Sequence, residues 1–152
     1  MTALSLAGEL CTYLERQTLP TTLNYSGSGT VNLFDTYLPD LPDIAVAIIE
    51  RPGMAPIRVL YDTQSRFDRP SVQIMVRAGM EDFVAGNSLM QAIFGKLDML
   101  AEHILNPPTG AYFHLIRALA SPAYLGIAPP TDTRQRHTWS LNMVAWYQND
   151  QW

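Results

Sequence analysis

Histidines are the residues of this sequence whose chemistry is easiest to imagine, because the imidazole side chain titrates near neutral pH. His114 and His137 lie on two segments that we predict to be neighbouring strands, so a metal-binding pair or an acid–base couple is conceivable. No carboxylate lies at a spacing that would complete such a site. Two histidines without a carboxylate partner are more often neighbours across a pair of strands. His103 falls late in a predicted helix, where a cation suits the helix dipole. Structural roles are therefore favoured for all three histidines.

The other candidates for catalysis or cofactor binding are equally weak. The glycine-rich stretch YSGSGT (25–30) lacks the Gly-Lys-Ser/Thr ending of a phosphate-binding loop and follows no hydrophobic strand, so it indicates a flexible loop. Glu81 and Asp82 open a predicted helix, where capping explains them better than catalysis. The single Cys11 fits no zinc spacing and is interpreted as a small apolar residue on a helix face. We expect no catalytic residues, no cofactor and no metal, and hence not an enzyme.

The charge balance disfavours tight binding to nucleic acid. The chain has 10 Lys and Arg residues against 14 Asp and Glu, a formal net charge of -4, and no basic run. Phosphate neutralisation needs clustered cations. Charged residues make up only 16% of the chain, below the roughly 25% of an average soluble protein, which indicates that part of the surface is covered by other protein. The aromatic residues that could stack on bases lack interleaved cations, so core or interface packing is favoured for Tyr112, Trp139, Trp146, Tyr147 and Trp152.

The sequence predicts neither a membrane span nor secretion. Its longest apolar run, Ile44 to Ile49, is far shorter than the roughly 20 residues of a membrane-spanning helix. The first residues carry no positively charged segment, and Glu9 interrupts what would be the apolar part of a signal peptide. We therefore expect synthesis in the cytoplasm of the cell that makes the protein.

We predict a single domain over residues 1–152, with three parts. An amphipathic helix covers 2–17, with apolar residues at intervals of three and four and Thr2 as its N-cap. An extended arm covers 20–43, in which Pro39 and Pro42 hold the sequence YLPDLPD extended. A core of strands and a second helix covers 44–148. A segment as long as the arm without regular structure is usually functional or ordered by a partner.

The strands of the core are predicted from alternation. Ile44 to Ile49 is a short buried strand, RPGMAP (51–56) a turn, and Ile57 to Tyr61 a hairpin return. DTQSRFDRP (62–70) reads as a polar connection into the strand RPSVQIMVRAG, which runs from Arg69 to Gly79. In that strand Val72, Ile74 and Val76 share one face, whereas Ser71, Gln73 and Arg77 share the other.

After Gly79 the period changes to that of a helix from about Asp82 to Leu105, which NPPTG (106–110) ends. Tyr112 to Leu119 and Arg136 to Tyr147 are two further strands, neighbours and antiparallel because their link is short. We infer an α+β fold: a mostly antiparallel β-sheet with two α-helices packed on one face. Its polar sheet face carries Gln73, Arg77, Ser140 and Asn142.

The order of several of these pieces resembles the phage minor capsid and tail terminator family of long-tailed bacteriophages. The matching pieces lie between residues 37 and 147: YLPDLPD, Arg69 to Gly79, Gly110 to Ala118, Ser121 to Gly126 and Arg136 to Trp146. GIAPPTDTRQR (126–136) departs from the pattern, because relatives tend to have a shorter turn after the glycine. A tail-terminator-like fold is what the resemblance implies.

The resemblance also implies a function. Such proteins are structural virion proteins that form a hexameric ring on the finished tail tube, stop its polymerisation and present a surface to the head-completion proteins of the neck. The expected partners are copies of this chain, the tail tube protein and the neck proteins, and the genomic DNA passes through the lumen without sequence-specific binding. A neutral to acidic lumen is predicted, since tight phosphate contacts would retard the DNA. The predicted subunit contacts lie on the arm and on loop 50–70, at Tyr37, Leu38, Asp40, Asp43, Arg66 and Arg69.

Three alternatives stay open from the sequence. Another neck component, such as a head-completion or stopper protein, has a similar size and assembles by the same logic. A small enzyme is disfavoured because no site constellation is present. A ligand-binding or nucleic-acid-binding module is disfavoured because no basic stripe is present.

Overall fold

Seven strands and two helices make up the part of the chain that our computed structural model describes, which is residues 5–58, 66–104, 112–127 and 135–149, with side chains 54–58, 66–67, 103–104 and 147–149 left out. The helices are α1 (Leu6–Glu15) and α2 (Phe83–Leu97). The strands are β1 (Leu33–Phe34), β2 (Ala45–Arg58), β3 (Arg66–Ala78), β4 (Leu100–Ile104), β5 (Tyr112–Ala118), β6 (Ala123–Ile127) and β7 (His137–Asn149).

The strands form one sheet in the order β1-β2-β3-β7-β5-β4, and β6 pairs with β7 beside β5. The β1–β2 pair is parallel, and the other described pairs are antiparallel. Both helices pack on the apolar face of this sheet, and one continuous cluster of buried side chains joins them to it. The predicted α+β fold with a mostly antiparallel sheet is therefore confirmed.

Alternation along the three long strands builds the core. Opposite residues on β2, β3 and β7 form rows across the sheet, such as Ile48, Ile74 and Leu141, and each of these side chains is at most 1% exposed. The intervening residues point to the other face, as the period of two requires. The predicted division of β3 and β7 into an apolar and a polar side is thus confirmed.

Helix α1 begins at Ser5, whose Oγ accepts a hydrogen bond from the Gly8 N–H at 3.1 Å. Thr2, the predicted N-cap, lies outside the described residues. Cys11 is fully buried on the inner face of this helix, as its apolar interpretation required. Burial, with the nearby carboxylates of Asp35 and Glu15, raises the pKa of its thiol, which favours the protonated form.

Helix α2 is shorter than predicted. It ends at Leu97, because Asp98 adopts an extended conformation and Met99 has a positive φ of 61°. The chain then reverses into β4, so Leu100, Ile104 and His103 lie on a strand and their prediction as helical was wrong. NPPTG, the predicted helix stop, lies outside the described residues. Asp82 occupies the N-cap position but makes no side-chain capping bond, so its predicted capping role was wrong in this respect.

The β2–β3 hairpin is longer than predicted. RPGMAP is not a turn, since it continues β2, and Arg66 to Pro70 already belong to β3. The pairing shifts register on either side of Met54, which marks bulges where Pro52 and Gly53 can sit in a strand. Gly53 is required there: a Cβ on it would lie 2.1 Å from the Arg69 carbonyl oxygen. Residues 59–65, including most of the predicted return strand, lie outside the described part.

Candidate functional site: an anchored arm and a bare sheet face

The end of the arm is fixed to the sheet by Arg77. This side chain is 6% exposed on the polar side of β3. Its guanidinium donates to three backbone carbonyls of the arm: Pro42 at 2.6 Å, Asp40 at 3.3 Å and Asp43 at 3.3 Å. A buried cation is costly unless its donors are used, and here carbonyl oxygens accept from it. Arg77 therefore anchors the arm instead of facing solvent.

Arg136 completes this contact from the residue before β7. It is 4% exposed, donates through Nη1 to the Asp40 carbonyl, and donates through Nη2 to Asp40 Oδ1 at 2.9 Å. Its Nη1 also lies 3.8 Å from Asp43 Oδ1. We call Arg77 and Arg136 together the arginine clamp. Arg136 was not among the predicted site residues. The signals that could have indicated it were its place directly before a two-faced strand and the aspartates Asp40 and Asp43 on the proline-rich arm.

The clamp brings together three of the predicted site residues, Asp40, Asp43 and Arg77. Both aspartate side chains keep an outer surface, at 73% and 52% exposed, while their inner atoms meet Arg136. Tyr37 is 65% exposed and Leu38 is half-buried at the same end of the arm. The clamp thus holds a segment that presents these side chains outward, and their role in subunit contacts stays a prediction.

The glycine-rich loop at the start of the arm is held by Glu15 of α1. This carboxylate accepts hydrogen bonds from the backbone N–H groups of Tyr25 and Ser26 at 2.9 and 3.0 Å. The bond from Ser26 is the main cause that holds the pKa of Glu15 below its usual value. The Tyr25 hydroxyl donates to Asp35, and burial together with this bond raises the pKa of Tyr25 to about 12.

The polar face of the sheet carries a short hydrogen-bond chain. Arg51 Nη2 donates to Gln73 Oε1 at 2.8 Å, and Gln73 Nε2 donates to Ser140 Oγ at 3.0 Å. Ser140 is 7% exposed, whereas Asn142, two residues further along β7, is exposed. The four predicted polar-face residues thus divide into a bonded pair, Gln73 and Ser140, the anchor Arg77, and one residue open to solvent.

The predicted contacts on the hairpin lie at its base. Arg69 is on β3, with its guanidinium carbon 5.9 Å from the ring centroid of Trp146 on β7, a cation–π arrangement. Arg66 opens β3, and its side chain lies outside the described part. Trp146 itself is 37% exposed, whereas Trp139 is 2% exposed and belongs to the core.

Next to Trp146 the outer face of the sheet forms a concave apolar surface with a volume of about 420 Å³. The pairs Leu115–Trp146 and Arg117–Val144 lie on the side away from the helices, because Ile116 and Ala145 between them face the core. No helix covers this side among the described residues. We call this surface the outer groove; it is lined by Leu115, Arg117, Ala118, Leu119, Val144 and Trp146.

The structure does not bring His114 and His137 together. His137 starts β7 opposite Ala78, whereas His114 lies on β5 near the far end of β7. His114 instead faces a carboxylate, with its Nδ1 3.5 Å from Glu102 Oε1 on β4, and Glu102 also accepts from the Tyr112 hydroxyl. Because residues 100–104 were predicted as helix, the sequence did not indicate that His114 and Glu102 lie on paired strands. Within the described part no three His, Cys, Asp or Glu side chains cluster as a metal site.

The main exposed features of the described residues are therefore an anchored arm, a long hairpin and an apolar groove. None of the described helices is long and apolar enough to cross a membrane.

Comparison with solved structures finds a chain of similar fold. The chain is similar to a chain of a structure titled virion of native gene transfer agent particle, with a TM-score of 0.60 and 14% sequence identity. The match covers 95% of this chain and 96% of that one, so the likeness extends over the whole fold. No curated protein matches the chain.

A family model supplies the sequence-level link. The model described as bacteriophage tail terminator protein matches residues 19–149, which include the whole arm and every strand of the sheet. This range contains the pieces, from YLPDLPD to RHTWSLNMVAW, on which the resemblance was founded. The chain belongs to the bacteriophage tail terminator family.

Proposed function

We propose that this protein is the tail terminator of a long-tailed phage or phage-like particle, forming a hexameric ring that caps the tail tube, stops its polymerisation and joins the tail to the neck. The family match over residues 19–149 carries the proposal, since membership makes the chain a structural tail protein. Its partners would be further copies of itself, the tail tube protein and the head-completion proteins. It would act in the virion, after assembly in the host cytoplasm.

The surface supports a protein that works in contact with other proteins. Large apolar side chains are exposed at several places, among them Val84 at 75%, Met99 at 63%, Leu119 at 61% and Leu125 at 56%. Single exposed apolar residues are common, so these positions support protein contact only together with the charge content of the chain. The low share of charged residues, 16%, agrees with a surface of which part is buried on assembly.

The arm and the hairpin are the proposed subunit contacts. The arginine clamp bonds the arm at Asp40, Pro42 and Asp43, next to the exposed Tyr37. A pre-ordered segment loses less entropy on binding than a flexible one. We further propose a lumen that is neutral to acidic, supported by the net charge of -4 and the scattered cations, so that DNA slides without being held.

Replacing Tyr37 by Asp tests the role of the arm. A charge on this 65% exposed side chain should prevent ring formation while leaving thermal unfolding unchanged, because the side chain makes little contact within its own subunit. Negative-stain imaging and mass in solution report ring formation. The matched control is Lys96→Asp at the exposed end of α2, which should form rings like the unaltered protein. Rings of normal appearance from the Tyr37 variant would contradict this role of the arm.

A further inference from the structure

The turn between β3 and α2 forms an exposed apolar projection to which the proposed function assigns no contact. Val84 is 75% exposed, Met80 44% and Phe83 41%, and the two side chains between them, Glu81 and Asp82, are also exposed. We call Met80 to Val84 the knob. It combines an apolar tip with two carboxylates.

The knob is held rigidly by the start of β7. Its Met80 carbonyl can only accept a hydrogen bond, so His137 Nε2, at 3.1 Å, carries the proton and donates to it. His137 Nδ1 lies 2.7 Å from the Tyr124 hydroxyl, which then donates to it. Phe83 packs edge-on against both rings, with centroids 5.1 Å from His137 and 5.3 Å from Tyr124. The projection is therefore ordered before any partner binds, which lowers the entropic cost of docking.

The outer groove has the opposite shape and the opposite charge. Leu119 and Trp146 offer apolar surface, at 61% and 37% exposed, around a concavity of about 420 Å³. Two guanidinium groups accompany it: Arg117 is exposed in its lining, and Arg69 lies beside the Trp146 ring. An occupant with an apolar tip and flanking carboxylates would bury the tip and pair the charges.

One chain cannot place its own knob in its own groove. Phe83 packs 5.3 Å from Trp139, which faces the helices near the start of β7. The groove lies on the other face of the sheet, around Val144 and Trp146 in the later half of that strand. The thickness of the sheet separates the two surfaces, so both stay available to neighbouring copies.

We propose that the knob of one subunit docks into the outer groove of the next, with Val84 against the apolar lining and Glu81 or Asp82 against Arg117 and Arg69. The occupant is a second copy of this chain, chosen by the match of shape and charge. Such a head-to-tail contact uses different surfaces on its two sides, and repetition gives either a closed ring or a filament. Closure into a ring rests on the proposed function, whereas the contact itself does not.

A charge-pairing experiment tests the contact. Val84→Arg puts a cation against the apolar lining and the groove arginines, Glu81→Arg replaces a knob carboxylate by a cation, and Arg117→Glu puts an anion against the knob carboxylates, so each single variant should weaken self-association at least tenfold, as measured by mass in solution against concentration. The double variant of Glu81→Arg and Arg117→Glu exchanges the two charges across the contact and should recover part of the loss. Lys96→Glu, at an exposed position near the end of α2, is the control and should associate normally.

Single variants that associate like the unaltered protein, a double variant that recovers nothing, or an unaltered protein that stays monomeric at high concentration would overturn the contact. Tails that end in normal rings despite Val84→Arg would remove this inference and leave the terminator role standing. Association that follows the charge pairing, in a protein that has no effect on tail length, would support the contact and contradict the terminator role.

Discussion

Gly86→Ala is expected to destabilise the protein by about 1–3 kcal/mol, although alanine is the better helix former. Gly86 lies on the inner side of α2, where a Cβ would come within 2.5 Å of Trp139 Cζ3 and 2.8 Å of the Ala78 Cβ. Both neighbours are buried, Trp139 at 2% exposed and Ala78 at 0%, so neither can move aside without disturbing the core. The glycine lets the helix approach the sheet closely enough to cover the indole ring.

Gly95→Ala is the matched control on the same helix. A Cβ at Gly95 meets nothing within 4 Å, so this change should stabilise the protein by about 0.4–1 kcal/mol through helix propensity and a less flexible unfolded chain. Urea unfolding of both variants measures the difference in the free energy of unfolding. Two variants that change stability by the same amount and in the same direction would show that α2 does not pack on Trp139 as described.

Removing the arginine clamp is expected to release the arm. Arg77→Met leaves the Pro42 and Asp43 carbonyls without this donor, and Arg136→Met leaves the Asp40 carboxylate without its donor, while the Asp40 carbonyl keeps one arginine in either variant. Each loss should cost about 1–3 kcal/mol in the free energy of unfolding. The ion pair itself adds little, because the Asp40 side chain is 73% exposed. Since both arginines bond the same Asp40 carbonyl, the two effects should not add.

Limited proteolysis distinguishes release of the arm from general loss of stability. Cleavage between residues 20 and 43 should accelerate in both clamp variants under conditions where the sheet stays folded, because local opening exposes the arm alone. Lys96→Met, which removes an exposed cation at the end of α2, is the control and should leave the cleavage rate unchanged. An arm that is cut no faster in Arg77→Met and Arg136→Met would mean that the clamp does not hold it.

The two-faced strands could be predicted from the sequence because one face is buried and the other is polar along most of their length. Val72, Ile74 and Val76 alternate without ambiguity, and a slip by one residue would expose all of them. Leu100 and Ile104 could not be assigned in the same way. A spacing of four residues keeps two side chains on one face both in a helix and in a strand. These residues therefore fitted the helical pattern, and the helix was predicted to continue too far.

Local signals also failed where tertiary contacts decide the structure. Pro52 and Gly53 are typical of turns, yet here they sit at bulges in β2, where a missing donor and a missing Cβ are tolerated. Arg136 lies 96 residues from Asp40, so no local pattern links them. The groove is likewise invisible in the sequence, because it exists only once β5 and β7 are paired.

Tail length in particles assembled without this protein tests the account most directly. Electron microscopy of tails made in its absence should show tubes of irregular length that exceed the normal one and lack a terminal ring, and adding the protein back should restore a single length with one ring at the head-proximal end. Tails of normal, uniform length that merely fail to attach to heads would contradict a terminator and identify a neck component that acts after the tube is finished.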